Sequence, residues 1–112
     1  MLAQNVAAVV CRNETWQGRA ATEPYECGWA KEAIVFVRAL KPPAVPSSVT
    51  ARVQISADGM HWADEGTRLT FPDNTDAVAF ARVAHFGGWL RLAADLPAGA
   101  EITLLVTLHL KE

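Results

Sequence analysis

The segment Ile102-Thr-Leu-Leu-Val-Thr-Leu-His-Leu-Lys111 decides the fold class of this chain. Aliphatic residues recur at every second position, and the positions between them carry mostly threonine, histidine and lysine. Successive side chains of a β-strand point to opposite faces, so the pattern predicts a strand with one face in a hydrophobic core and the other in solvent. Leu105 interrupts the polar face, and we therefore expect part of that face to be covered.

The same alternation and related apolar runs occur along the rest of the chain. Val49 to Ser56 alternates apolar and polar residues, which predicts a second half-buried strand. Ala33 to Leu40 is apolar except for Arg38 and is typical of a central strand that is buried on most of both sides. Further strands are predicted at Val6–Val10, Thr67–Phe71, Ala77–Phe86 and Trp89–Ala94.

Glycine and proline separate these segments. Asp58-Gly59 and Gly87-Gly88 are predicted to supply the positive φ angles of tight hairpins. The proline-rich segment from Lys41 to Ser48 excludes a helix or a central strand, because proline lacks the N–H donor and fixes φ. About seven or eight short strands with turns between them predict an all-β fold, a single antiparallel β-sandwich of jelly-roll type over residues 1–112.

The hairpin Ser56-Ala-Asp-Gly-Met-His-Trp62 has turn chemistry that can be interpreted residue by residue. Ser56 and Asp58 can hydrogen-bond the backbone of the turn, and Gly59 can take its left-handed position. Trp62 follows the turn, where the alternation points inward, so we expect it to be largely buried in the core.

Two motifs together resemble known β-sandwich modules. Val53-Gln-Ile-Ser-Ala-Asp-Gly-Met-His-Trp62 has the form of a strand followed by Ser-x-Asp-Gly-x-x-Trp, and Gly88-Trp-Leu-Arg-Leu92 is a glycine turn followed by a strand with a basic residue. The combination resembles jelly-roll modules of discoidin-like domains and of phage or prophage tail and virion appendage proteins. The resemblance covers roughly residues 48–111. It implies a module that binds sugars, lipids or partner proteins, or that assembles.

Composition excludes several classes of protein. The 112 residues are 51% hydrophobic and 20% charged, which excludes intrinsic disorder. A net charge of −2 gives no electrostatic footprint for nucleic acid, and no apolar run approaches the roughly 20 residues of a membrane helix. The N-terminus lacks the basic region of a signal peptide, so a cytoplasmic or virion-associated location is expected. We accordingly favour buried thiols for Cys11 and Cys27, although a disulfide between them stays open.

Candidate catalytic groups are sparse. No serine lies in a nucleophile elbow, so we expect no enzyme and no cofactor. His61, His85 and His109 are the alternative, because three imidazoles can ligate zinc as in a small cupin-like metal-dependent enzyme. The His-x-His pair that usually marks such sites on one strand face is missing.

The segment from Arg12 to Ala30 is long, aperiodic and rich in aromatic and charged residues. A loop of this length in a small domain is usually functional or packed against a partner, and Trp, Tyr and Arg are enriched in interface hot spots. The candidate binding or interface residues are Arg12, Trp16, Arg19, Tyr25 and Trp29. Two alternatives remain: the aromatic residues close the open end of the sandwich, or an exposed Trp16 or Trp29 binds carbohydrate.

Self-association is expected, most simply as a dimer or trimer. Ala33–Leu40 and Ala77–Phe86 offer apolar residues on both strand faces, although a sandwich needs only one. The chain has only three lysines, the residue that commonly protects strand edges. The sequence therefore predicts a non-enzymatic binding or assembly module, a phage-like structural or appendage protein, with a protein or glycan as a further partner. A carbohydrate-binding module and the metal enzyme are the alternatives.

Overall fold

The computed structural model describes residues 3–112, which form nine β-strands and no α-helix. The strands are β1 (Asn5–Trp16), β2 (Arg19–Ala21), β3 (Tyr25–Glu26), β4 (Glu32–Ala39), β5 (Thr50–Ser56), β6 (Ala63–Thr70), β7 (Val78–Ala84), β8 (Trp89–Asp95) and β9 (Ile102–Lys111). Within these residues no helix is long and apolar enough to cross a membrane.

The strands form two antiparallel sheets. One sheet has the order β1-β9-β4-β7, and the other has the order β2-β8-β5-β6 with β3 also on β8. β2 pairs with the end of β8 near Asp95 and β3 pairs with its start at Trp89, so these two short strands share one position in the sheet. Two layers of four strand positions in this order are a jelly roll. The predicted fold class is confirmed.

β9 is the central strand of the core. It lies between β1 and β4, and its inward side chains are all buried, whereas His109 on the opposite face is exposed. The inward residues are Ile102, Leu104, Val106, Leu108 and Leu110. Burying one such side chain fully is worth roughly 1.5–3 kcal/mol. Both sheets contribute to the core, because Val53 of β5 and Leu92 of β8 lie in the same hydrophobic cluster.

The N-terminal third differs from the prediction. β1 continues beyond Val10 to Trp16, although its pairing with β9 shifts register between Val9 and Cys11 and again between Cys11 and Glu14. Asn13 has a φ angle of 53°, which places it in the left-handed region. Bulges break the period-two pattern. The segment that the sequence indicated as a long loop therefore contains the end of β1 and the whole of β2 and β3.

Cys11 and Cys27 are buried free thiols, as expected. Burial raises the pKa of Cys11 to about 12, and the side chain of Glu14 adds to the shift. Burial and the charge of Glu26 raise the pKa of Cys27 to about 11. Both thiols are therefore protonated at neutral pH, which makes them poor nucleophiles.

Candidate functional site

The outer face of the five-stranded sheet carries a cross-strand polar network, which we call the arginine face. Its members are Arg19 of β2, Arg52 and Gln54 of β5, Asp64 and Arg68 of β6, and Arg91 and Asp95 of β8. The register places them together, because Gln54 lies opposite Arg91 on one side and opposite Asp64 on the other. The sheet thus assembles on one surface residues that are far apart in sequence.

Gln54 is the centre of this network. It is 9% exposed, and both ends of its amide are used. Arg91 Nε donates to Gln54 Oε1 at 2.7 Å, and Gln54 Nε2 donates to Asp64 Oδ1 at 2.9 Å. The hydrogen bond from Gln54 is the main reason that the pKa of Asp64 lies below its ordinary value. A buried amide with both ends satisfied holds its neighbours in one geometry.

Arg52 extends the network across the sheet. Its Nε donates to Asp64 Oδ1 at 3.3 Å, and its Nη1 forms an ion pair with Asp95 Oδ2 at 3.0 Å. Arg19 reaches the other oxygen of Asp95 with its Nε at 3.4 Å. The network therefore runs without interruption from β6 through β5 and β8 to β2.

Arg91 lies over the indole ring of Trp62, with its guanidinium carbon 4.3 Å from the ring centroid. Trp62 is half-buried on the outer side of the sheet and does not belong to the core cluster, so the prediction that it is a core residue is wrong. Removal from water, together with the charge of Arg52, lowers the pKa of Arg91. The guanidinium of Arg91 is thus held in one position, and its positive charge is only partly balanced by neighbouring groups.

A depression opens on the arginine face beside these residues. Its volume is about 340 Å³, and arginine and small residues line it. The lining consists of Arg19, Ala20, Ala21, Arg52, Gln54, Arg91 and Ala93. The alanine side chains leave the space that larger residues would fill. Arg68 lies on the same face outside the lining and donates from Nη1 to the hydroxyl of Thr50 at 3.3 Å.

The β5–β6 hairpin next to this face is built as the sequence predicted. Ser56 Oγ accepts hydrogen bonds from the backbone N–H groups of Asp58 and Gly59 at 3.2 and 2.8 Å, and Gly59 has a φ angle of 79°. Asp58 Oδ1 accepts from the N–H groups of Met60 and His61 at 2.8 Å each. Asp58 Oδ2 lies 2.7 Å from His61 Nδ1. These bonds hold the pKa of Asp58 well below its usual range.

We expect His61 to titrate above its ordinary pKa of 6.5, because a hydrogen bond and a charge interaction with Asp58 stabilise the imidazolium. This interaction is present below the ordinary histidine pKa and is lost as the pH rises through the raised value. It persists on the acid side until Asp58 protonates. Titration of the imidazole C–H signals by NMR measures the midpoint. Asp58→Asn should lower it towards 6.5, whereas Asp73→Asn, at an exposed aspartate elsewhere, should not.

The outer face of the four-stranded sheet is different in character, and we call it the apolar face. Val78 and Phe80 of β7 are 57% and 51% exposed, and Val9 of β1 is 42% exposed. Half-buried Ile34, Phe36 and Leu105 continue the apolar surface across β4 and β9. The central row of this surface crosses all four strands, because Val9 lies opposite Thr107, Thr107 opposite Phe36 and Phe36 opposite Phe80.

Aromatic contacts order the centre of the apolar face. The rings of Phe36 and Phe80 are 6.0 Å apart, and His109 packs edge-on against Phe36 at 5.1 Å. Arg82 lies over the Phe80 ring at 5.1 Å. A shallow cavity of about 400 Å³ opens beside Ile34, where Arg82 and His109 contribute to its walls.

The five residues predicted from the Arg12–Ala30 segment do not occupy one surface element. Arg12 is exposed on β1, whereas Trp16 at the end of the same strand is 3% exposed and packs against Phe71. Tyr25 and Trp29 are half-buried against the core. Arg19 is exposed and joins the arginine face. Trp16 therefore closes the core, which was the alternative interpretation, and it offers no exposed ring to a carbohydrate.

The three histidines also lie apart. His61 lies in the β5–β6 hairpin, His85 has a φ angle of 58° in the turn after β7, and His109 is on the apolar face. Across residues 3–112 no three His, Cys, Asp or Glu side chains are grouped to hold a metal ion. The zinc site proposed from sequence is therefore not assembled in the described part of the chain.

Sequence reasoning missed most of the arginine face. The polar positions Arg52 and Gln54 were visible as the solvent side of an alternating strand, and Arg91 was visible in its motif. The hydrogen bond between Arg91 and Gln54 could not be predicted, because the two residues are 37 positions apart and only the strand order brings them together. The only available signal was the repeated placement of arginine on solvent-facing strand positions.

Comparisons with known proteins show the fold of this chain. No protein-family model matches the chain, and no curated protein matches it. Among solved structures, the SPBc2 prophage-derived protein YomS is similar with a TM-score of 0.59 and 8% identity, over 100% of this chain and 96% of that chain.

Two further structures match over most of their length. The module CpGH89CBM32-5 from Clostridium perfringens, in complex with GalNAc-β-1,3-galactose, has a TM-score of 0.49 and 11% identity over 95% of this chain and 94% of its own. The pre-peptidase C-terminal domain of a Bacillus anthracis collagenase has a TM-score of 0.45 and 9% identity over 99% and 90%. The likeness to YomS shows that this chain shares a β-sandwich fold with a prophage-derived protein.

Proposed function

We propose that this protein is a non-enzymatic assembly module and that two copies associate through the apolar face. The observation that carries the proposal is the exposure of Val78 and Phe80 in one continuous surface with Phe36, Ile34 and Val9. A contiguous exposed apolar patch of this kind often marks a protein–protein interaction site. A second copy of the same surface is the simplest cover, because most homo-oligomers close around a twofold axis.

The apolar face is large enough to form the central part of a dimer interface. Four strands about 4.8 Å apart, with about 3.3 Å per residue along each strand, give a face of roughly 19 by 25 Å. A standard interface buries about 800 Å² per partner. This exceeds the flat outline of the face, roughly 480 Å², so the contact would extend from the apolar centre onto the charged rim.

The distribution of charge on the apolar face also favours self-association. Its central row, from Val9 through Thr107 and Phe36 to Phe80, contains no charged residue. The charged side chains of this face, among them Arg38, Arg82, Glu32 and Lys111, lie on rows to either side of it. An apolar aromatic centre with a charged rim is the usual anatomy of a protein interface. Contact between the central rows of two copies therefore involves no charged residue of those rows, although the Arg82 guanidinium reaches over the Phe80 ring.

A structural or appendage role in a phage-like particle fits this assembly function. The fold shared with a prophage-derived protein supports that placement, as does the resemblance of the hairpin and Gly88–Leu92 motifs to appendage modules. Such a role calls for association with identical or neighbouring subunits and requires no catalytic group.

Sedimentation velocity of the purified chain tests the assembly proposal. We expect a dimer at tens of micromolar and a monomer for Phe80→Glu, because burying an unpaired carboxylate in the interface is costly. Met60→Glu is the matched control, since Met60 is 73% exposed in the β5–β6 hairpin away from the apolar face. It should remain a dimer. A monomeric wild type at 100 micromolar would refute the proposal, as would a dimeric Phe80→Glu variant or a monomeric Met60→Glu variant.

A further inference from the structure

We propose that the depression on the arginine face binds a small polar molecule that carries an oxyanion, either a carboxylate or a phosphate. This site is on the sheet opposite the apolar face and does not depend on the assembly proposal. Its three arginines, Arg19, Arg52 and Arg91, converge from three strands on one recess. Guanidinium groups are the side chains best suited to bind carboxylate and phosphate through paired N–H donors.

Donor capacity at the site exceeds what the protein itself uses. Arg91 makes one hydrogen bond within residues 3–112, from Nε to Gln54, so its two Nη groups have no acceptor among the described residues. Arg52 uses Nε and Nη1, and its Nη2 makes no hydrogen bond within the same residues. A ligand with two or three acceptor oxygens would accept hydrogen bonds from these Nη groups, which the fold holds in position without an acceptor among the described residues.

Positive charge is concentrated here although the whole chain has a net charge of −2. Three arginines line the depression, and the two carboxylates that contact them belong to Asp64 and Asp95. The excess at the recess is therefore one positive charge. An anion would relieve the repulsion between Arg52 and Arg91 and replace the water that Arg91 has lost.

The geometry is largely fixed before any ligand arrives. Gln54 holds Arg91 from one side and the Trp62 ring holds it from another, while Asp64 and Asp95 fix Arg52. Preorganised donors lose less conformational entropy on binding than free surface arginines would. The volume of about 340 Å³ is at the lower end of the range of small-molecule sites, which suits a molecule of monosaccharide size.

Isothermal titration with three probes tests the proposal: D-galacturonate, D-galactose 6-phosphate and neutral D-galactose. We expect at least one acidic probe to bind in the millimolar range or tighter, and to bind more weakly as salt is raised. Neutral galactose should bind at least tenfold more weakly. The two acidic probes distinguish a carboxylate site from a phosphate site. Binding of neither acid, or equal binding of neutral galactose, overturns the proposal.

Matched arginine variants locate the binding. Arg91→Gln should weaken the acidic probe at least tenfold, and Arg19→Gln, at a side chain that is 91% exposed, should weaken it without affecting folding. Arg68→Gln removes the same charge from the same face outside the recess and should change affinity less than twofold. If all three variants weaken binding equally, or if Arg91→Gln and Arg19→Gln bind as the wild type does, the assignment to the depression is wrong. Circular dichroism confirms that each variant is folded.

Discussion

Replacing Trp16 by alanine is expected to lower the free energy of unfolding by roughly 3–5 kcal/mol, the usual cost of truncating a large buried aromatic side chain. Trp16 is 3% exposed at the point where the chain leaves the first sheet. Its ring meets Phe71 edge-on, with the centroids 6.5 Å apart and an interplanar angle of 82°. Urea denaturation followed by circular dichroism measures the loss. Trp16→Phe keeps an aromatic ring, so it should lower the free energy of unfolding by less. It should still fold even if the alanine variant does not.

Trp62→Ala is the matched comparison. Trp62 is half-buried, and its main partner is the guanidinium of Arg91 on the outer side of the sheet. A cation–π contact of this kind is worth about 0.5–2 kcal/mol, so the loss should be well below that at Trp16. A larger loss at Trp62 than at Trp16 would restore the interpretation that Trp62 is the core residue.

The second large effect is expected at Leu104, which is fully buried in β9 between Glu14 of β1 and Ala39 of β4. Leu104→Ala should lower the free energy of unfolding by about 2–5 kcal/mol, because the strands on both sides prevent the cavity from collapsing. Leu105→Ala is a close control, since it removes the same atoms one residue along the same strand but on the half-buried outer face. Its cost should be about 1 kcal/mol.

Both leucine variants should be measured at low micromolar concentration. Leu105 lies on the apolar face, so association of two copies would add to its apparent stability at higher concentration. Equal losses at the two positions would contradict the assignment of opposite faces in β9.

The sequence was most informative where one strand face is wholly buried and the strand is regular. The alternation in β9 predicted its bounds and both of its faces, because every inward position from Ile102 to Leu110 is in the core. The β5–β6 turn was predictable for a related reason. Ser56, Asp58 and Gly59 act within a few residues of one another, so their hydrogen bonds and backbone angles are local properties.

Other features depend on relationships that a linear pattern does not contain. The two register shifts in β1 displace side chains from the simple alternation, which concealed the strand between Cys11 and Trp16. Trp62 follows a turn, and the face that a residue takes after a turn depends on where pairing resumes. Pairing of β6 begins at Ala63, and Trp62 is left on the outer side beneath Arg91. The arginine face required the strand order itself.

The central position of β9 also has a consequence for the order in which the chain can fold. β1 pairs only with β9 within the described residues, so the contact between Asn5 and Lys111 joins segments that are synthesised far apart in time. Until β9 leaves the ribosome, β1 has no strand among the described residues to pair with, and β4 lacks one of its two neighbouring strands. Such non-local pairing is slow, in the range of milliseconds to seconds for β-sandwiches. The four-stranded sheet can therefore form only once β9 has been synthesised, and a nascent chain that stops before Ile102 exposes apolar strands that a chaperone can bind.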